Sequence, residues 1–172
     1  MLSDCLENIP RNQDIFIDAN IFIYGLQNQS NQCHLLLSRC AKEEVFGVTS
    51  LEVVNEVTHR LMVAEAMSKK ELSAKKINAT YLKDHPEAVK NLSIYWANIE
   101  AILGMNILIL RLEEALLNKA QIVRNSYGFL TNDSCITALM LEFGLDKIAT
   151  NDKQFESVSD FMRYYPTDIS SN

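Results

Sequence analysis

The stretch Asp14-Ile15-Phe16-Ile17-Asp18-Ala19-Asn20, continued by Ile21-Phe22-Ile23-Tyr24, governs how the rest of the chain reads. Residues 14–18 form a short apolar run rich in Ile and read as a buried strand. Ala19 and Asn20 end it, and Ile21 to Tyr24 start a helical turn. Asp18 closes the strand. No cation stands near it in the chain, and the end of an apolar run is a costly place for an unpaired charge.

Working outward, the same alternation recurs. Asn31 to Glu43 has helical spacing with Leu35, Leu36 and Cys40 inward, and Val45 to Val48 is a second strand. Thr49-Ser50 then caps a helix carrying Val54, Val57 and Leu61. A helical segment, broken near Ser68, is expected over 64–82. Pro86 begins another that runs through Trp96 to Leu103. Asn106 to Leu110 is a third strand, Glu113 to Asn125 a helix, and Asp133 to Phe143 a helix stopped by Gly144. Lys147 to Thr150 is a fourth strand, and a fifth lies near Met162 to Tyr165. Strands alternating with helices predict a single α/β domain over 1–172: a mostly parallel sheet covered on both faces, with extra helix around 64–104. In such sheets ligands bind beyond the carboxyl ends of the strands.

Composition narrows the function. The chain has 172 residues, 48% of them hydrophobic, and 5 Gly and 3 Pro, which suits a globular domain without long linkers. The net charge of -6 gives no global attraction for nucleic acid, so a polyanionic ligand would need basic residues away from a local acidic site. The four cysteines form no C-x-x-C pair and read as buried free thiols. The longest apolar stretch, residues 102–110, is too short to span a bilayer, and Asp4 and Glu7 leave no basic leader. A cytoplasmic protein with no membrane partner is expected.

Four acids stand out: Asp18 at the end of the first strand, Glu56 within the helix that follows the second, Asp133 opening a helix and Asp152 two residues past the fourth strand. Each has a plain reading. Asp18 or Asp133 would cap a helix, Asp152 would sit in a turn, and Glu56 would pair with Arg60 one turn on. Gathered at one sheet edge, however, they would repel one another unless a cation neutralised them. Hard carboxylate oxygens suit magnesium or manganese, which can activate water and stabilise charge in phosphodiester cleavage. His34, His59 and His85 are scattered and have no metal-pair spacing.

The boundaries carry a resemblance. Ile17-Asp18-Ala19-Asn20, then Thr49-Ser50 with Glu56-Val57-Thr58-His59-Arg60-Leu61, resemble the opening strand and the serine-capped helix of the PIN-domain nucleases. Gly128 to Asp133 and Ile148-Ala149-Thr150-Asn151-Asp152 are similar to the family's later motifs. The toxin-nuclease (VapC-like) branch is the nearest in pattern. The resemblance implies a three-layer α/β/α sandwich in which Asp18, Glu56, Asp133 and Asp152 bind Mg2+ or Mn2+. Asn20 and Thr150 would orient ligands, and the activity would be endoribonuclease hydrolysis of RNA. It also implies, as partners, a small antitoxin protein and a second copy in a homodimer. Glu52, one turn before Glu56, is the alternative ligand, and the segment between Glu56 and Asp133 is longer than in compact toxins. Lys69, Lys70, Lys75, Lys76, Lys119 and Arg124 are the candidate RNA contacts. Two other readings stay open: a non-catalytic RNA- or protein-binding module of the same fold, and a structure-specific DNA nuclease.

Overall fold

The computed structural model describes residues 3–69 and 78–169. Six strands, β1 (Ser3–Cys5), β2 (Asp14–Ile17), β3 (Phe46–Ser50), β4 (Leu108–Leu110), β5 (Lys147–Ala149) and β6 (Met162–Tyr165), form one sheet in the order β1-β6-β5-β2-β3-β4. Every pairing is parallel. The anticipated strand at residues 14–18 is therefore central, flanked by β3 and β5, and its Ile15, Phe16 and Ile17 are fully buried. The edge strand β1 went unread in the sequence. Three residues long, it takes its partner from the far end of the chain, Ser3 opposite Arg163.

Helices α1 (Ala19–Leu26), α2 (Asn31–Ala41), α3 (Leu51–Lys69), α4 (Ala79–Asp84), α5 (Pro86–Lys90), α6 (Ile94–Leu103), α7 (Glu114–Tyr127) and α8 (Thr131–Glu142) connect the strands. In α2 the inward face is Cys33, Leu36, Leu37 and Cys40, whereas Leu35 is 49% exposed, so the expected inward Leu35 is replaced by Leu37. The 3.6-residue period allows i, i+3, i+4 and i+7 to share a face and turns i+2 away from it. Burial pushes the Cys33 thiol up to about 12 and that of Cys40 to about 11, which keeps both protonated and inert. Cys5, by contrast, is only half-buried.

The extra helical segment is present but divided differently. α3 is described as far as Lys69, and the anticipated helix from Pro86 to Leu103 is two helices, α5 and α6, broken at residues 91–93. The break has a tertiary cause. The buried Glu65 of α3 accepts the backbone N–H of Ser93 (2.9 Å) and of Tyr95 (2.8 Å), capping α6 from a different helix. Lys69, one turn on, binds the same carboxylate at 2.5 Å and donates to the Asn91 carbonyl. Residues 70–77, including Lys70, Lys75 and Lys76, lie outside the described residues. Gly144 follows α8 at φ +67, as its sequence position suggested. No helix among the described residues is long and apolar enough to cross a membrane.

Candidate metal and nuclease centre

The register of the sheet brings the carboxyl ends of its central strands level. Phe16 lies opposite Val48 on one side and Ile148 on the other, and Ser50 lies opposite Leu110. Asp18, Ser50 and Thr150 are thus one row, each the last or first residue beyond a buried strand.

Asp18 is buried and caps α1, its Oδ1 accepting from the Ala19 N–H at 2.7 Å. Its Oδ2 accepts from Thr150 Oγ1 (2.6 Å) and Asn20 Nδ2 (2.5 Å). Asn20 extends the lattice: its Nδ2 reaches Thr150 Oγ1 at 3.0 Å and its Oδ1 accepts from the Asn151 N–H at 3.0 Å. Thr150 Oγ1 also accepts from the Asp152 N–H at 3.0 Å. Two side chains distant in sequence, Asn20 and Thr150, therefore fix the Asp18 carboxylate and the loop that bears Asp152. Asp152 itself accepts from the Gln154 N–H at 2.8 Å and starts a 3-10 turn over Lys153–Ser157.

Glu56 reaches the same edge from α3. Its Oε1 pairs with Arg60 at 2.8 Å, and its Oε2 accepts from Asn132 Nδ2 at 3.1 Å. The plain reading of a Glu56–Arg60 pair is thus realised, and a bond to the start of α8 is added to it. Asp133 lies in the first turn of α8 rather than at its expected start, because α8 begins two residues earlier, at Thr131, behind a Leu130 that makes no side-chain cap.

Electrostatics tie the four acids together. Burial raises the Asp18 pKa to about 6. The bonds from Thr150 and Ala19 oppose that rise, and the charges of Glu56 and Asp133 add to it. Burial also raises Asp133, with Asp152 and then Glu56 pushing the same way. Glu56 exerts its charge on both aspartates, and Glu52 is not among the charges that shift either. Glu52 instead lines, with Glu56, Asn132 and Ile136, a small cleft between α3 and α8.

Among the described residues no group of three or more His, Cys, Asp or Glu side chains is close enough together to hold a metal ion as it stands. The chemistry of the donor set still fits a hard divalent cation. Asp18 is raised to about 6 by burial and by the charges of Glu56 and Asp133, and Asp133 is raised by burial and by Asp152 and Glu56; carboxylate oxygens of this kind suit a hard cation.

Two supporting residues carried no sequence signal. Asn132 holds Glu56 across 76 positions of chain. Arg163, buried in β6, donates from Nε (2.7 Å) and Nη2 (2.5 Å) to Glu156 Oε1, and from Nη1 to the Thr150 carbonyl at 3.2 Å. The candidate RNA contacts that fall on described residues are engaged within the protein. Lys69 binds Glu65, Lys119 binds Glu142, and Arg124 donates to Gln121 and points toward Cys135.

The PIN-domain family model matches residues 15–160. No curated protein matches the chain significantly. Among solved structures, a chain in the crystal structure of VapBC2 from Rickettsia felis, bound to a DNA fragment from their promoter, is similar at a TM-score of 0.58. The identity is 11%, over 89% of this chain and 98% of that one, a likeness of fold.

Proposed function

The chain belongs to the PIN-domain family, and from that premise we propose that it is a metal-dependent endoribonuclease in which Asp18, Glu56, Asp133 and Asp152 hold Mg2+ or Mn2+. The observation that carries the reading is electrostatic: a buried Asp18 raised to about 6 partly by Glu56 and Asp133, and an Asp133 raised partly by Asp152 and Glu56. Such a cluster is unfavourable by itself and favourable around a cation. When bound, a divalent ion supplies Lewis-acid chemistry, acidifying water and stabilising charge on the phosphodiester.

The chain's own residues do the positioning. Thr150 and Asn20 hold Asp18 Oδ2 in one orientation, and the Ala19 N–H holds Oδ1. Thr150 Oγ1 anchors the Asp152 peptide, which keeps the β5 loop against the β2 carboxyl end. Asn132 sets the approach of Glu56 toward α8, and Arg60 balances its charge. The same reading makes the chain the toxin of a toxin–antitoxin pair, with a small antitoxin protein and a second copy of the chain as partners. It draws on the likeness in fold to a chain of VapBC2.

The test is cleavage of matched RNA and DNA oligonucleotides with magnesium, with manganese and with chelator, by the parent and by Asp18→Asn. Metal-dependent RNA cleavage that vanishes in the variant is expected. Equal cutting by the variant, or cutting of DNA alone, overturns it. One observation favours a second reading, a non-catalytic RNA- or protein-binding module: both Glu56 oxygens are already engaged, by Arg60 and Asn132. RNA binding without any cleavage in either metal would select that reading.

A further inference from the structure

An acidic chain that works on RNA must attract a polyanion to an edge crowded with carboxylates, and its net charge of -6 works against it. Local cations beside the acids have to supply the attraction. Many described cations are tied to carboxylates of the protein, Arg60 on Glu56 and Lys147 on Asp146 among them. Arg111 and Lys153 differ. Both are exposed, and among the described residues neither has an ion pair or a side-chain hydrogen bond.

The topology puts these two where they matter. Arg111 is the first residue past β4 and Lys153 follows Asp152 past β5, so both leave the sheet at its carboxyl edge, the edge of the acids. In the order β5-β2-β3-β4 their strands are three neighbours apart, about 14 Å. Between them lie the ends of β2 and β3, where Asp18 and Ser50 stand. Glu113 and Glu114 begin α7 just beyond Arg111 without pairing with it, so its guanidinium donors remain available.

We propose that Arg111 and Lys153 form a two-point cradle for the phosphate backbone of single-stranded RNA, which would lie across the strand ends with Asp18 and Ser50 between its two anchors. The proposal rests on the ribonuclease reading for its choice of ligand. Lys42 provides an internal control. It too has no ion pair among the described residues, but it ends α2 ahead of β3 and so sits at the opposite, amino edge of the sheet.

The experiment uses the full chain carrying Asp18→Asn, so that substrate survives, and a labelled single-stranded RNA of about 12 nucleotides, within the usual site sizes for such strands. Affinity is measured in magnesium over a range of salt concentrations. Arg111→Gln and Lys153→Gln should each weaken binding about fivefold at 0.1 M salt. Each should also make the slope of log affinity against log salt shallower by about 0.7, and the double variant by about 1.4. Lys42→Gln should change neither. A double variant with the parent's slope overturns the cradle, as does an equal loss from Lys42→Gln or failure of the parent to bind at low salt. Cleavage by the Asp18-intact chain is scored separately. Binding that depends on Arg111 and Lys153 without any cleavage removes the nuclease reading and keeps the cradle. Cleavage with an unchanged slope does the reverse.

Discussion

Two buried carboxylates in this chain meet opposite fates. Glu65 and Asp18 are both almost fully enclosed and both accept backbone N–H bonds at a helix start. Desolvation acts against each charge, yet Lys69 and the N–H groups of Ser93, Tyr95 and Ile94 more than offset it at Glu65, whose pKa falls to about 2. At Asp18 the bonds from Thr150 and Ala19 do not suffice, and Glu56 and Asp133 add repulsion, so its pKa rises to about 6. The protein pairs Glu65 with its own cation, Lys69, and places no cation of its own among the groups that shift Asp18. Under the proposed function that asymmetry, more than burial or hydrogen-bond number, marks Glu65 as structural and Asp18 as the candidate for function.

The sharpest way to break the contrast is Asp18→Asn. It should reduce metal-dependent RNA cleavage by about 100-fold or more, comparable with losing a principal electrostatic group of an active site. Saturating Mg2+ or Mn2+ should raise the melting temperature of the parent and not of the variant, since only a native-state site links binding to stability. Calorimetric melts with and without metal read this directly. An identical shift in both proteins would place the cation elsewhere.

Next in size is Glu65→Ala, expected to cost about 3 kcal/mol in urea denaturation. It strands the Ser93 and Tyr95 N–H groups in a part-buried setting and leaves Lys69 with the Asn91 carbonyl but without its carboxylate. RNA cleavage should be unaffected at temperatures well below the melt. A cost below about 0.5 kcal/mol, the ordinary size for a surface substitution, would show that α6 does not need its cap.

The two acids also predict opposite pH trends. Glu65 is depressed, so its contribution is present above its unfolded pKa near 4.5 and is lost as pH falls toward 2, by at most about 3 kcal/mol. Asp18 is raised, so in chelator its stabilising effect is full below about 3.8 and is lost as pH rises through 6, again by about 3 kcal/mol. Denaturation in chelator across this range should show the acid limb flattened by Glu65→Gln and the pH 4–6 limb flattened by Asp18→Asn. Identical profiles for parent and variants would remove both assignments.

The smallest effect belongs to the supports. Asn132→Ala frees Glu56 Oε2, and Arg163→Lys loses the fork that holds Glu156 and the Thr150 carbonyl together. Each should lower the cleavage rate by about 10-fold with little change in KM, as expected when residues behind the ligands are disturbed. Unchanged rates would mean that the β5 loop and Glu56 hold their places without them.

Much of this molecule was legible in local pattern. The apolar run at residues 14–18, the helix periods and the position of Gly144 follow from burial, from the 3.6-residue repeat and from glycine's tolerance of positive φ, all of which act over a few residues. The positions of Asp18, Asp133 and Asp152 near strand and helix ends, and of Glu56 inside α3, were legible for the same reason. Tertiary structure decided what depends on partners far apart in the chain. It paired β1 with β6, turned Leu37 rather than Leu35 inward, and broke the helix after Lys90 by lending Glu65 to α6. It also joined Asn132 to Glu56 and set Arg163 against Thr150. Sequence alone carries no signal for these because a hydrogen bond or a Coulomb interaction depends on distance in space, and only the packed sheet and helices determine that distance.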